Sequence, residues 1–129
     1  GVRYLSVEQY LWAQKALLAK DYEAYQNIMD ERASSRYKDI KIKNLSYDRW
    51  NAIRSQHLMA GLDAKFAQCH RASEKLRATG SASLVHATIR DRIYGTGLDI
   101  GDVNNMSPNK WLGLNELGKS LMAVRSTLA

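Results

Sequence analysis

The chain has 129 residues, 45% of them apolar, which fits one domain with an ordinary core and leaves no room for a second. No run approaches the ~18 consecutive apolar residues of a membrane span, and the N-terminus lacks the order of a secretory signal, so a soluble cytoplasmic protein with no membrane partner is expected. A formal charge of +6 favours phosphate-bearing ligands without specifying a sequence, and a lone cysteine, Cys69, excludes an internal disulfide.

In chain order, Ser6 begins a capping box in which Gln9 reaches back to the cap, placing Glu8 in a helix's first turn. Val7, Tyr10, Leu11, Gln14, Leu17 and Leu18 then repeat at helical spacing to about Lys20, and Asp21 caps a second helix through about Arg32. Arg32, Arg36, Lys38, Lys41, Lys43 and Arg49 follow with only Asp39 and Asp48 as acids. This stretch reads as loop or short helical turns, either a solvated surface or a phosphate-contacting patch.

The longest helix starts at Ser46, with Trp50, Ile53, His57, Leu58, Leu62, Phe66 and Cys69 on one face; Cys69 there reads as a small buried hydrophobe. Gly61 weakens this helix without breaking it. A short helix from Ala72 to Ala78 ends at Gly80, in the left-handed cap conformation. Leu84 and Val85 form a brief buried strand or turn, and residues 95–109, with three glycines and the only proline, read as an irregular loop. A last helix buries Leu117, Leu121, Val124 and Leu128. The pattern predicts a mainly α, at most α+β, single domain of five or six helices with little strand.

Several chemistries drop out. His57, His70 and His86 lack metal-ligand spacing, so neither a metal nor another cofactor is expected. No P-loop or nucleophile elbow occurs, and the Gly95-Thr-Gly97 pair is too short for a dinucleotide fingerprint. Carboxylates remain. Glu8 lies near unsatisfied N–H groups that favour its ionised form, which also describes any favourable helix-start glutamate. Asp91 or Thr88 caps a turn before the glycine loop; Trp12, Trp50 and Trp111 fit packing roles, and Lys15 fits a solvated helix charge.

Four blocks, in order, carry a resemblance: Val7–Lys15 (VEQYLWAQK), Trp50–Phe66 (WNAIRSQHLMAGLDAKF), Leu84–Asp91 (LVHATIRD) and Trp111–Arg125 (WLGLNELGKSLMAVR). From Ser6 to the C-terminus the chain resembles the NADAR (YbiA-like) superfamily of N-glycosidases. Similar members cleave N-glycosidic bonds, either in phosphorylated ribosylamine intermediates of riboflavin biosynthesis or between ADP-ribose and guanine in nucleic acid. The resemblance implies a YbiA-like single domain over residues 1–129, lacking the family's usual N-terminal segment. It implies a phosphorylated ribosyl or ADP-ribosyl substrate, with nucleic acid as a partner in the second case.

By the same resemblance, Glu8 matches the catalytic glutamate and Asp91 the acidic residue before the aromatic-glycine element. Lys15, Trp50, Tyr94, Gly95 and Asn115 match substrate-binding positions, and Arg125 a pocket or framework position. Gln9 stands where histidine is common, His86 where an acid is common, and Tyr94 where tryptophan is common. The expected activity is hydrolysis of a sugar–nitrogen bond, with removal of ADP-ribose from guanine favoured by the positive charge. The alternatives are cleavage of riboflavin-type intermediates and a degenerate binding or interaction module.

Overall fold

Short side-chain caps set where the helices begin. Ser6 accepts a hydrogen bond from the Gln9 N–H at 3.0 Å and starts α1, Val7–Leu18. Asp21 Oδ1 accepts from Ala24 N–H at 3.1 Å and starts α2, Tyr22–Asp30. Asp21 Oδ2 also accepts from the Lys43 N–H at 2.8 Å, holding the 41–45 turn to the start of α2. These backbone bonds, that from Lys43 above all, lower the carboxyl pKa of Asp21 below the usual aspartate value. The Ser46 hydroxyl caps α3, Tyr47–Gln68, through the Arg49 N–H.

The computed structural model describes residues 1–128 and is mainly α-helical, with no strand among those residues. After α3 come α4, His70–Ala78, α5, Ile100–Asn105, and α6, Glu116–Thr127, with 3-10 turns at Ser34–Asp39 and Pro108–Lys110. The chain divides into two units, Gly1–Gly61 and Leu62–Ala129, with the boundary inside α3.

In the first unit, α1 packs on α2 and on the 34–39 turn around Ala13, Ala16, Ala24, Ile28 and Tyr37. Three small alanines let the helices approach, and the larger Ile28 and Tyr37 fill the gap between them. The Tyr37 phenol is 1% exposed, and its hydroxyl donates to the Glu31 carbonyl at 3.4 Å. Gly61 has a packing reason to be glycine, because a Cβ there would come within 3.1 Å of both Val7 and Tyr10 on α1. In the second unit, α4 packs against α6 with Ser73, Leu76 and Val124 buried. The Arg125 guanidinium donates to Thr79 Oγ1 at 2.8 Å and ties α6 to the end of α4, a framework role.

Several elements differ from what the sequence pattern predicts. Cys69 is exposed, because α3 stops at Gln68 and Cys69 is the N-cap of α4, off the apolar stripe that its spacing suggested. Leu84 and Val85 are half-buried but pair with no strand. The 95–109 segment holds α5, whose N-cap Asp99 accepts from the Asp102 N–H at 3.0 Å, and the Pro108–Lys110 turn. Gly101 falls inside α5, so glycine content there marked a helix start rather than a continuous loop. Gly80, at φ +60°, does adopt the left-handed conformation after α4.

Gln9 departs from the capping box in an informative way. Its side chain is 1% exposed; Oε1 accepts from the Leu5 N–H at 2.6 Å, and Nε2 donates to the carbonyls of Ile28 at 3.1 Å and Met29 at 3.4 Å. The amide thus joins the segment entering α1 to carbonyls in the last turn of α2, where helical hydrogen bonding runs out. Gln9→Ala is expected to lower stability by about 2–3 kcal/mol, the scale of losing the three hydrogen bonds of a buried amide. Urea unfolding should show a lower midpoint at unchanged slope.

Candidate functional site

In the first unit the candidate residues lie along one side of α1. Glu8, Trp12 and Lys15 are spaced i, i+4 and i+7, so they share a face over two turns, with about 10 Å of helix between the first and last α-carbons. Glu8 is exposed in the first turn. Burial raises the pKa of the Tyr37 phenol above its ordinary value, and the nearby Glu8 charge raises it further.

Lys15 is held by indoles. Its Nζ sits 4.1 Å from the centroid of the Trp12 ring and 5.5 Å from that of Trp50, both within cation–π range. Trp50 is 3% exposed and stacks on His57, with centroids 5.7 Å apart and planes at 10°. Its indole supports the lysine and offers little open face of its own, whereas Trp12 is half-buried. His57 Nδ1 is hydrogen-bonded to the Tyr10 hydroxyl at 3.3 Å, and Tyr10 meets Tyr4 edge to face at 5.1 Å. Burial pushes the His57 pKa below the ordinary 6.5, which keeps the imidazole neutral at pH 7.

In the second unit Asp91, Tyr94, Gly95 and Asn115 form one backbone knot. Asp91 Oδ1 accepts from the N–H groups of Ile93 and Tyr94, both at 2.9 Å, while its carbonyl accepts from Gly97 at 3.1 Å. Thr88 Oγ1 meanwhile accepts from the Arg90 N–H at 3.2 Å. Both turn-capping residues are therefore used. Gly95 is buried, and a Cβ on it would lie 2.7 Å from the Asp91 carbonyl oxygen and 2.7 Å from the Thr88 methyl, so no larger residue fits.

Asn115 is 2% exposed and sits in the left-handed region at φ 51°. It is the N-cap of α6 by position, yet its side chain does not cap the helix. Instead Oδ1 accepts from the His86 N–H at 2.9 Å and Nδ2 donates to the Leu84 carbonyl at 3.1 Å, an edge like that of a neighbouring strand. Its own N–H donates to the Gly95 carbonyl at 2.9 Å. The carbonyls of Arg92, Ile93 and Tyr94 likewise accept from Leu114, Glu116 and Leu117.

The two groups of residues thus divide as Glu8, Lys15 and Trp50 in the first unit and Asp91, Tyr94, Gly95 and Asn115 in the second. Residue patterns alone missed Tyr10, His57 and Tyr37. The spacing of Trp50 and His57, seven apart on one helix, was the available signal for their stack. Tyr37 gave none, being one aromatic in a basic stretch. Among the described residues no cluster of three His, Cys, Asp or Glu side chains is placed to hold a metal ion, and no helix is long and apolar enough to cross a membrane.

The chain matches the family model described as NADAR domain over residues 1–129. It is 34% identical over 124 residues to N-glycosidase R617 of Acanthamoeba polyphaga mimivirus, covering 95% of this chain and 73% of that protein. It is 30% identical over 129 residues to N-glycosidase YbiA of Escherichia coli (strain K12), covering 100% of this chain and 73% of the relative. With Protein irg-1 of Caenorhabditis elegans it shares 28% identity over 131 residues, covering 98% of this chain and 62% of that one.

The depressed His57 pKa fixes a sign for the pH dependence of stability. Between that value and 6.5 the unfolded chain binds more protons at this position than the folded one, so stability rises with pH across the window and falls as acid is added below 6.5. His57→Gln should flatten this part of a Tm-against-pH curve; an unchanged slope would place the titration elsewhere.

Proposed function

Since the chain belongs to the NADAR family, we propose that it is an N-glycosidase that hydrolyses the bond between a phosphorylated ribosyl group and a nitrogen, and that its substrate is ADP-ribose joined to guanine in nucleic acid. The observation that carries this reading is the α1 face, with the Glu8 carboxylate at one end and the Lys15 ammonium at the other. With about 10 Å of helix between their α-carbons, the two groups suit a sugar at the carboxylate and its phosphate at the lysine. The family's relatives named N-glycosidases support the bond type.

Breaking a sugar–nitrogen bond leaves positive charge on the anomeric carbon and ring oxygen while the electron pair departs with the base nitrogen. In this reading the Glu8 carboxylate stabilises that charge. Water then bonds to the anomeric carbon, and its proton balances the one taken up by the departing guanine. Lys15 supplies a compact cation to a phosphate oxygen, with Trp12 and Trp50 fixing where it stands. Asp91 is the second carboxylate that the family resemblance assigns, to orient or deprotonate water or to hold a ribose hydroxyl, and the same resemblance assigns Tyr94, Gly95 and Asn115 to substrate binding.

Nucleic acid as the carrier of the ADP-ribose is supported by the basic stretch. Arg32, Arg36, Lys38, Lys41, Lys43 and Arg49 are all exposed, as phosphate-backbone contacts need to be.

The decisive assay is release of free ADP-ribose from an oligonucleotide carrying ADP-ribosylated guanine, read by mass spectrometry. Glu8→Gln is expected to lower turnover by about a thousandfold, the scale of losing a transition-state charge contact, with substrate binding kept. Unchanged turnover would remove Glu8 from the mechanism. Release from a ribosylamine phosphate but not from the oligonucleotide would move the substrate to the riboflavin-type class, and binding without release of either would favour an interaction module.

Asp91→Asn separates the two jobs of that residue. The amide oxygen can still accept from Ile93 and Tyr94, so the turn survives while the charge is lost. A loss of turnover of roughly a hundredfold or more, the size of a general-base effect, is expected in a protein of unchanged Tm. Full activity would leave Asp91 as a turn residue alone.

A further inference from the structure

We propose that His57, buttressed by Tyr10, is a positioning residue for Lys15 that acts through the Trp50 indole. The proposal deepens the reading of Lys15 as the phosphate contact and rests on it.

The contacts run in one line inside the first unit. The Tyr10 hydroxyl meets His57 Nδ1 at 3.3 Å, the imidazole lies flat on Trp50 at 5.7 Å, and the Lys15 Nζ stands 5.5 Å from the Trp50 centroid and 4.1 Å from that of Trp12. An indole with one flat neighbour removed can tilt, and a tilt changes where its electron-rich face meets the ammonium. Trp50 is 3% exposed, so it has no solvent-facing freedom to settle elsewhere while keeping that face on Lys15. His57 is the side chain stacked on it, and the Tyr10 hydrogen bond restrains rotation of the imidazole about its own axis. The neutral state of the ring matters as well. An imidazolium would compete with Lys15 for the same indole and repel it.

The line also joins two helices. Tyr10, Trp12 and Lys15 belong to α1, and Trp50 and His57 to α3, at the place where Gly61 lets α3 come close to Val7 and Tyr10. Lys15 is therefore set by both helices.

The test follows the Lys15 ε-methylene by NMR in the full chain while inorganic pyrophosphate is titrated in. In the wild type these protons should resonate upfield of the other lysines, shielded by the two indoles. His57→Gln is expected to return the resonance toward the ordinary lysine position and to weaken pyrophosphate binding about three- to fivefold, the size of one cation–π contact. His57→Phe, which keeps a flat ring against Trp50, should restore most of both. Tyr10→Phe removes one oxygen and should shift both in the same direction as His57→Gln by less; it carries the comparison should His57→Gln not fold. An unchanged resonance and affinity in a folded His57→Gln protein overturns the proposal. Absence of any pyrophosphate response at Lys15 in the wild type instead sinks the phosphate-contact reading, and the resonance alone then decides whether His57 positions the lysine.

Discussion

The buried Gln9 amide is the interaction on which the first unit's candidate residues depend. A primary amide offers an acceptor and two donors, and here all three meet backbone groups: the Leu5 N–H and the carbonyls of Ile28 and Met29. The Leu5 N–H precedes α1, and the two carbonyls lie in the last turn of α2, where that of Ile28 also accepts from the Glu31 N–H at 3.2 Å. By satisfying them at a position 1% exposed, Gln9 fixes the axial position of α1 against α2. Glu8 is its chain neighbour, so the same bonds help fix the start of α1 that carries this carboxylate, whose charge raises the pKa of the Tyr37 phenol. An imidazole in this place has at most two hydrogen-bonding atoms and could not serve all three.

The second unit solves the same problem with Asn115. Its side chain presents one acceptor and one donor to the His86 N–H and Leu84 carbonyl, which are the two groups a neighbouring strand would have paired. This explains how residues 84–88 stay half-buried without a sheet. The left-handed conformation at φ 51° makes the geometry accessible, because asparagine is one of the few residues with a Cβ that adopt that region readily. Gly118 completes the arrangement, since a Cβ there would collide with the Leu84 carbonyl and the Asn115 amide. The Asn115–Gly118 spacing belongs to a single local constraint.

The sequence made the helices legible wherever a cap and an apolar stripe agreed, as at Ser6, Asp21 and Ser46. It failed where one signal was read without the other. Cys69 continued the α3 stripe by spacing, but helix ends are set by backbone capping, and the chain breaks at Gln68 before the stripe is exhausted. Asp99 could cap a helix, yet glycines around it suggested loop, and α5 is only six residues long. The candidate site was legible as a set of residue types and not as contacts. Glu8 and Lys15 stand on one face by periodicity alone, whereas the burial of Trp50 beneath His57 and Lys15 depends on α3 meeting α1, a tertiary fact that no local pattern encodes. Asp91 was legible in its turn-capping role because that role is local.

Holding a lysine between two indoles has a physical consequence for how it can bind an anion. A free lysine side chain loses up to about 2 kcal/mol of rotamer entropy when its ammonium is fixed by a ligand. Where Trp12 and Trp50 already restrict the stem, part of that loss is borne by folding and no longer weakens binding. An arginine would stack on the same rings with its planar group, but its donors would then lie in the plane parallel to the indole, committed in direction. The ammonium keeps three donors arranged around a point, so it can hold a face against the rings and still present hydrogens to a phosphate oxygen. The aromatic cradle therefore favours lysine at position 15 on geometric grounds that are separate from charge, and it ties the position of the ammonium to the packing of α1 on α3.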